Sequence, residues 1–181
     1  MCAMKGHTRP PLVIRLERAS DVDAIGQVTQ AAFKNHPISR QTEHYIVDAL
    51  RASSALSISL VAERDGQVVG HAAFSPVNIS DGAKDWYGIG PLSVLPTYQR
   101  QGVGKALMNE GLRLLKEMGA SGCVLVGDPG YYERFGFRSV PELAHEGVPQ
   151  ENVLALHLRN HRPTGTVTFH PAFMAGLEVS D

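Results

Sequence analysis

The 181-residue chain is short of cysteine, of net charge and of long apolar runs, and each shortage removes a class of function. Two cysteines, Cys2 and Cys123, cannot build a disulfide framework, and without a CxxC pair no zinc ligand set is in view. Cys123 stands in the apolar run CVLV and reads as a small buried hydrophobe. Lys and Arg total 17 against 18 Asp and Glu, so the chain has no broad basic field with which to hold nucleic acid. Nowhere do the roughly 18 apolar residues of a spanning helix run together. The opening stretch MCAMKGHTRPPLVIRLERAS lacks the apolar segment of a signal peptide. A cytoplasmic protein without membrane, nucleic-acid or metal partners is expected.

What is present suits one domain with an ordinary core, at 43% hydrophobic and 19% charged residues. Residues 1–11 read as a loose tail, followed by a strand in LVIRLER. Ser20, with Asp23 three places on, looks like a capping box. Val22, Ile25, Val28, Thr29 and Ala32 recur at helical spacing, which predicts a helix over 21–33. A second helix is expected over 41–52, with Tyr45, Ile46, Ala49 and Leu50 on one side. Two apolar β-branched runs flank Asp65-Gly66, a strong hairpin signal. WYGIGPLSVLP reads as a strand whose Gly88, Gly90 and Pro91 imply a bulge or an edge that another group approaches. A helix closed by Gly119 follows, then the buried strand CVLVG, a turn and short helix in DPGYYERFGF, the strand VLALHL, and a last edge piece in GTVTFHPAF. This order predicts an α/β fold of the α+β kind, a mixed sheet flanked by helices.

The stretch PTYQRQGVGKAL has the composition of a phosphate-holding loop. A Walker loop is excluded, because Gln99 fills its first glycine position and Ala106 follows Lys105 where Ser or Thr would hold magnesium. A dinucleotide fingerprint is excluded too, since Leu107 fills the third glycine position and the expected acidic residue falls in apolar Val124 to Val126. What remains is Gln99-x-x-Gly102-x-Gly104 at the head of a helix. There successive amides and the positive end of the helix dipole converge on one spot, and two residues without Cβ admit a close diphosphate. Arg100 and Lys105 add charge at its rim.

This loop resembles the pyrophosphate-binding loop of the GNAT superfamily of N-acetyltransferases. GPLSVLP upstream resembles that family's splayed cofactor strand, YYERFGF downstream its Tyr-x-x-x-Gly-Phe motif in Tyr132, Gly136 and Phe137, and VAERDGQVVGHAAF its preceding hairpin. The resemblance spans about Leu12 to Leu158, with the motifs in order. It implies a GNAT-like acyl-CoA N-acyltransferase fold whose central mixed sheet is mostly antiparallel, with a transferase domain over 12–160 and 161–181 packed on it as an extension. It implies acetyl-CoA as cofactor, CoA as product, and an unidentified amine as acceptor, attacked directly without a covalent enzyme intermediate. The implied cofactor contacts are Leu92, Ser93 and Val94 on the strand, Gln99, Arg100, Gln101, Gly102, Val103, Gly104 and Lys105 in the loop, and Tyr132. The Leu92 amide would polarise the thioester carbonyl.

Tyr132 is the expected acid for the departing thiolate, because a phenol of pKa about 10 keeps its proton at neutral pH. Tyr131 is a core aromatic or a wall of the acceptor side, and Trp86 and Tyr87 line the acceptor pocket or pack in the core. For the base, Glu63, His71, Glu43, His44, His170 and a water chain all stand as candidates, with a solvated hairpin charge and a core histidine as the plainer readings of Glu63 and His71. Asp128 orients Tyr132 or caps the short helix. Acceptor choice is assigned to residues 33–41 and the last strands, and the tail from Arg162 onward is a candidate for pairing across a homodimer. The alternatives are a non-catalytic acyl-CoA sensor and a transferase of longer acyl groups.

Overall fold

The structure is a computed structural model, and residues 8–177 of the chain are described. The first seven residues of the expected tail and the last four of the expected extension lie outside them.

Among the described residues, nine strands and four α-helices form one mixed sheet with helices on both faces. β1 (Leu12–Leu16) pairs antiparallel with β2 (Ile58–Arg64), and β2 with β3 (Gln67–Ile79). The β2–β3 turn is the expected one: Asp65 and Gly66 both take left-handed φ, 52° and 72°, which matches the right-handed strand twist. β3 pairs antiparallel with β4 (Trp86–Val94), and β4 runs parallel to β5 (Gly122–Val126). β5 continues through β8 (Val153–His157) to β6 (Arg138–Ser139). β9 (Gly165–Phe169) pairs with the far end of β3 and with β7 (Leu143–Ala144), a pairing that local pattern does not announce.

α1 (Val22–Phe33) and α2 (Glu43–Ala52) cover one face; α3 (Val103–Glu117) covers the other. α4 (Pro129–Tyr132) is a single turn directly after β5. Two details of the first helices differ from expectation. Ser20 caps nothing: residues Ala19–Asp21 form a 3-10 turn, and the carboxylate of Asp21 accepts the Arg18 amide at 2.7 Å. The apolar side of α2 is Ile46, Val47 and Leu50, while Tyr45 is half exposed, because the helix is rotated to seat Val47 on the sheet beside Val61.

Strand alternation divides the core. Leu60, Ala72, Phe74 and Ile89 meet Val103, Leu107, Met108 and Leu115 of α3, whereas Val61 and Ala73 meet Ile25 and Val47. Met118 is half exposed at the end of α3. Phe74 is fully buried, and its ring lies against Gly111 so closely that an added Cβ would sit 2.7 Å from Cε2. Gly111→Ala should therefore lower the melting temperature by about 2–10 °C, since overpacking a core costs about 1–3 kcal/mol and each kcal/mol moves a domain of this size by a few degrees. Thermal unfolding followed by circular dichroism checks this, and an unchanged midpoint would contradict the packing.

Candidate functional site

The site begins where two strands part. β4 pairs with β5 only from Trp86 to Gly88, opposite Gly122 to Val124. Beyond that, β5 stays paired with β8, while β4 bends towards β3 through an irregularity: Ala72 faces Leu92 and Phe74 faces Ile89, so Gly90 and Pro91 together oppose Ala73. The far edge of β4 from Ile89 to Val94 has no strand partner among the described residues. The Leu95 amide donates to Val69 O at 2.9 Å, which fixes the alternation of the ladder. The amides of Leu92 and Val94 therefore point away from β3, into the gap.

The loop after β4 is built to present amides. Gln99 folds back, its Nε2 donating to Val94 O at 3.1 Å, and Gln101 Nε2 donates to Thr97 O at 3.0 Å. Arg64 from the hairpin reaches Gln101 Oε1 at 3.4 Å. Arg100 and Gly102 both hold left-handed φ, 59° and 82°. A non-glycine residue in that region is strained, and such strain gathers where a chain holds a ligand. Gly102 is the N-cap of α3, and no atom lies within 4 Å of where its Cβ would be, so the concave side is open. The first bond of the helix runs from the Ala106 amide to Gly102 O at 3.0 Å. The amides of Val103, Gly104 and Lys105 are thus free at the positive end of a 15-residue helix.

α4 closes the site from the β5 side. Asp128 is the cap, Oδ1 accepting the Gly130 amide at 3.0 Å. Tyr131 faces the loop: its hydroxyl lies 2.9 Å from the position a Cβ on Gly104 would take, and Arg134 stacks on its ring at 4.6 Å. The single turn of α4 aims Tyr131 at α3. Tyr132 turns inward across Gly127 and packs edge-on to Tyr131, with ring centroids 4.8 Å apart. Burial, aided by Tyr131 and Asp128, pushes its pKa up to about 12. Lys105, Asn109, Glu133, Arg134 and Phe135 line a cleft of about 400 Å3 between α3 and α4.

Of the expected acceptor-side aromatics, Trp86 belongs to the core. It is 1% exposed, edge-on to His157 at 5.3 Å, because Gly122 on β5 leaves room for the indole. Tyr87 is half-buried and packs with the cluster under α3. Glu63 is held by Arg15 at 2.7 Å, and Arg15 also grips Asp21, so Glu63 is an ion-pair partner. His170 Nδ1 accepts the Ala172 amide at 3.1 Å and caps the last turn. Glu43 accepts from Ser39 Oγ at 2.6 Å; with His44 it borders a cavity of about 600 Å3 between α1 and α2, also lined by Gln27, Gln30, Phe33 and Lys34.

His71 is the surprise. It is fully buried on the α1–α2 face of β3, with Nε2 at 2.8 Å from Ser59 Oγ. Ser59 in turn bonds the carboxylate of Glu17, and Glu17 pairs with Arg51 at 2.6 Å. The sequence names His71 but not this network. The legible trace is the pair of polar residues, Ser59 and His71, inside otherwise apolar strands.

Burial lowers the His71 pKa from 6.5 to about 4, against a smaller opposing pull from Glu17. An unfolded chain therefore binds the proton first as pH falls, so the stability this histidine contributes is full above about pH 6.5 and is lost between there and about pH 4. Urea unfolding across that range should show the loss, and His71→Gln should flatten it. An equal slope in both proteins would contradict the burial.

The GNAT acetyltransferase family profile matches residues 25–137. N-acetyltransferase YhbS of Escherichia coli strain K12 is 38% identical over 127 residues, 70% of this chain and 73% of its own. A GNAT family acetyltransferase from Brucella melitensis, solved in complex with acetyl-CoA, is 50% identical with a TM-score of 0.81 and covers 90% of this chain and 98% of that one. The crystal structure of E. coli YhbS in complex with CoA matches with a TM-score of 0.84 at 31% identity, over 96% of this chain and 97% of that one. The chain is a member of the GNAT family of acetyltransferases.

Proposed function

We propose that this chain transfers an acetyl group from acetyl-CoA to a primary amine by direct attack. The observation that carries the reading is the continuity of free backbone donors, from the Leu92 and Val94 amides on the open edge of β4 to those of Val103, Gly104 and Lys105 at the head of α3. An extended arm adds to such an edge as a further strand, and a diphosphate suits a helix N-terminus. The acetyl-CoA and CoA complexes of two relatives support the same ligand here.

In this reading Leu92 and Val94 align the arm while Ser93 between them stays paired with β3, and residues 99–105 hold the diphosphate, with Arg100 and Lys105 contributing charge. Bound acetyl-CoA supplies an activated acyl group on sulfur. The Leu92 amide donates to the carbonyl oxygen as charge gathers there, a contribution on the order of 10²–10³ in rate for a preorganised donor. Tyr132, fully protonated at neutral pH, donates to the departing sulfur. The cavity between α1 and α2, beside residues 33–41, receives the amine. Residues 12–160 form the transferase domain, and the described part of the 161–181 extension packs on it through β9.

Thiol release from acetyl-CoA over a panel of primary amines and polyamines tests turnover, with calorimetry for binding. Acceleration by at least one amine is expected; tight binding with none would replace the transferase reading by a sensor. Gly102→Val forces a branched side chain into a left-handed φ, a cost of about 1–2 kcal/mol, and should weaken acetyl-CoA affinity on the order of tenfold while the fold persists. Unchanged affinity would contradict the loop assignment. Tyr132→Phe should lower kcat about 10²-fold with the Kd for acetyl-CoA unaltered, and a parental rate would remove its acid role.

A further inference from the structure

Arg64 closes β2 and is only 9% exposed, yet no ion pair among the described residues includes it. Ile58, Leu60 and Ala62 of the same strand pack in the cluster under α3, and alternation carries Arg64 to that face as well. Its Nε is enclosed without a hydrogen-bond partner, and Nη1 donates to Gln101 Oε1 at 3.4 Å. The two acidic residues beside it in the chain do not neutralise it. Glu63 points to the opposite face, where Arg15 holds it, and Asp65 is exposed in the turn. A guanidinium keeps its charge at any working pH, and a buried charge is costly unless it is paired.

The place of this charge raises that cost. Gln101 immediately precedes Gly102, the N-cap of α3, so the guanidinium stands beside the positive end of the helix dipole, where a cation is disfavoured. Two positive features set together are unfavourable within the chain and favourable only towards an anion. Gln101 joins them mechanically: Oε1 accepts from Arg64 while Nε2 donates to Thr97 O at 3.0 Å. The guanidinium therefore braces the turn that leads into the helix, including Arg100 with its left-handed φ of 59°. Lys105 borders the open cleft between α3 and α4, whereas Arg64 comes from the sheet, where salt screens a charge least.

We propose that Arg64 is a positioning residue that selects the acyl donor: acting through Gln101, its buried charge favours thioesters that carry a diphosphate over those that do not. The inference rests on the acetyltransferase reading and adds a residue to its cofactor loop. Stability is given up for this selectivity, since the charge lacks a partner of its own in the chain.

The test compares two donors on the full chain: acetyl-CoA, and S-acetyl-pantetheine, which ends before the diphosphate. Arg64→Met keeps the apolar stem and removes the charge. It should weaken acetyl-CoA binding on the order of tenfold by calorimetry, while S-acetyl-pantetheine, followed by ligand-observed NMR, binds as it does to the parent. Arg64→Lys, with the charge kept, should recover part of the loss. The melting midpoint of the unliganded Arg64→Met protein should equal or exceed that of the parent, because an unpaired buried cation has gone; a purely structural arginine would lower it. Parental acetyl-CoA affinity in Arg64→Met, equal weakening of both donors, no recovery with lysine, or a lowered midpoint would each overturn the proposal, and failure of Arg64→Met to fold counts as the last of these. If the smaller donor binds too weakly to follow, the lysine comparison and the midpoint decide. Each of these results leaves the transferase reading standing. Failure of the parent to bind acetyl-CoA is a separate result, which overturns that reading and the role of Arg64 with it.

Discussion

The parting of β4 from β5 after Gly88 is the constraint on which the rest of the molecule turns. Separating two central strands exposes backbone donors and acceptors that a continuous sheet would satisfy, and such groups must find other partners. The chain handles this by confining the gap. On one side β4 is held to β3 through an irregular pairing at Gly90 and Pro91; on the other, β5 remains fully paired with β8. The ends of the two diverging strands then lead straight into the two elements that matter, α3 after β4 and α4 after β5. One break in the sheet thus places an open strand edge, a helix N-terminus and a half-buried tyrosine around the same space.

The two faces of the sheet are chemically different. Under α3 the packing is apolar and tight enough that Gly111 must lack a side chain where Phe74 lies. Under α1 and α2 the sheet carries His71, Ser75 and Ser93 among its buried residues and half-buried Ser59 beside them, with Glu17, Arg51, Arg15 and Asp21 around the rim. Burying that much polarity is costly unless the groups are paired, and most of them are. The atoms left unpaired, on His71, Ser75 and Ser93, lie on β3 and β4.

Much of this was readable before any coordinates. The β2–β3 turn is written in Asp65-Gly66, the end of β4 in Pro96, the stop of α3 in Gly119, and the loop in the spacing of Gln99, Gly102 and Gly104, because each is a local backbone requirement met by a particular residue type. Features set by distant partners were not. Ser20 looks like a cap, yet no side chain caps α1, and the Asp21 carboxylate before it turns to Arg15 on β1 and to the Arg18 amide. Trp86 looks like a pocket residue, and only the juxtaposition of Gly122 across a parallel pair shows why it is core. Glu17, Ser59 and His71 lie far apart in sequence, and nothing local in those segments announces that β1, β2 and β3 will bring them together.

A crystal structure of the chain grown with acetyl-CoA measures the central claim most directly. The diphosphate should lie on the amides of the loop that opens α3, with the arm running antiparallel or parallel along the free edge of β4 and bonding Leu92 and Val94. Density for the molecule anywhere else, or a β4 edge closed against β5 in the complex, would contradict the account.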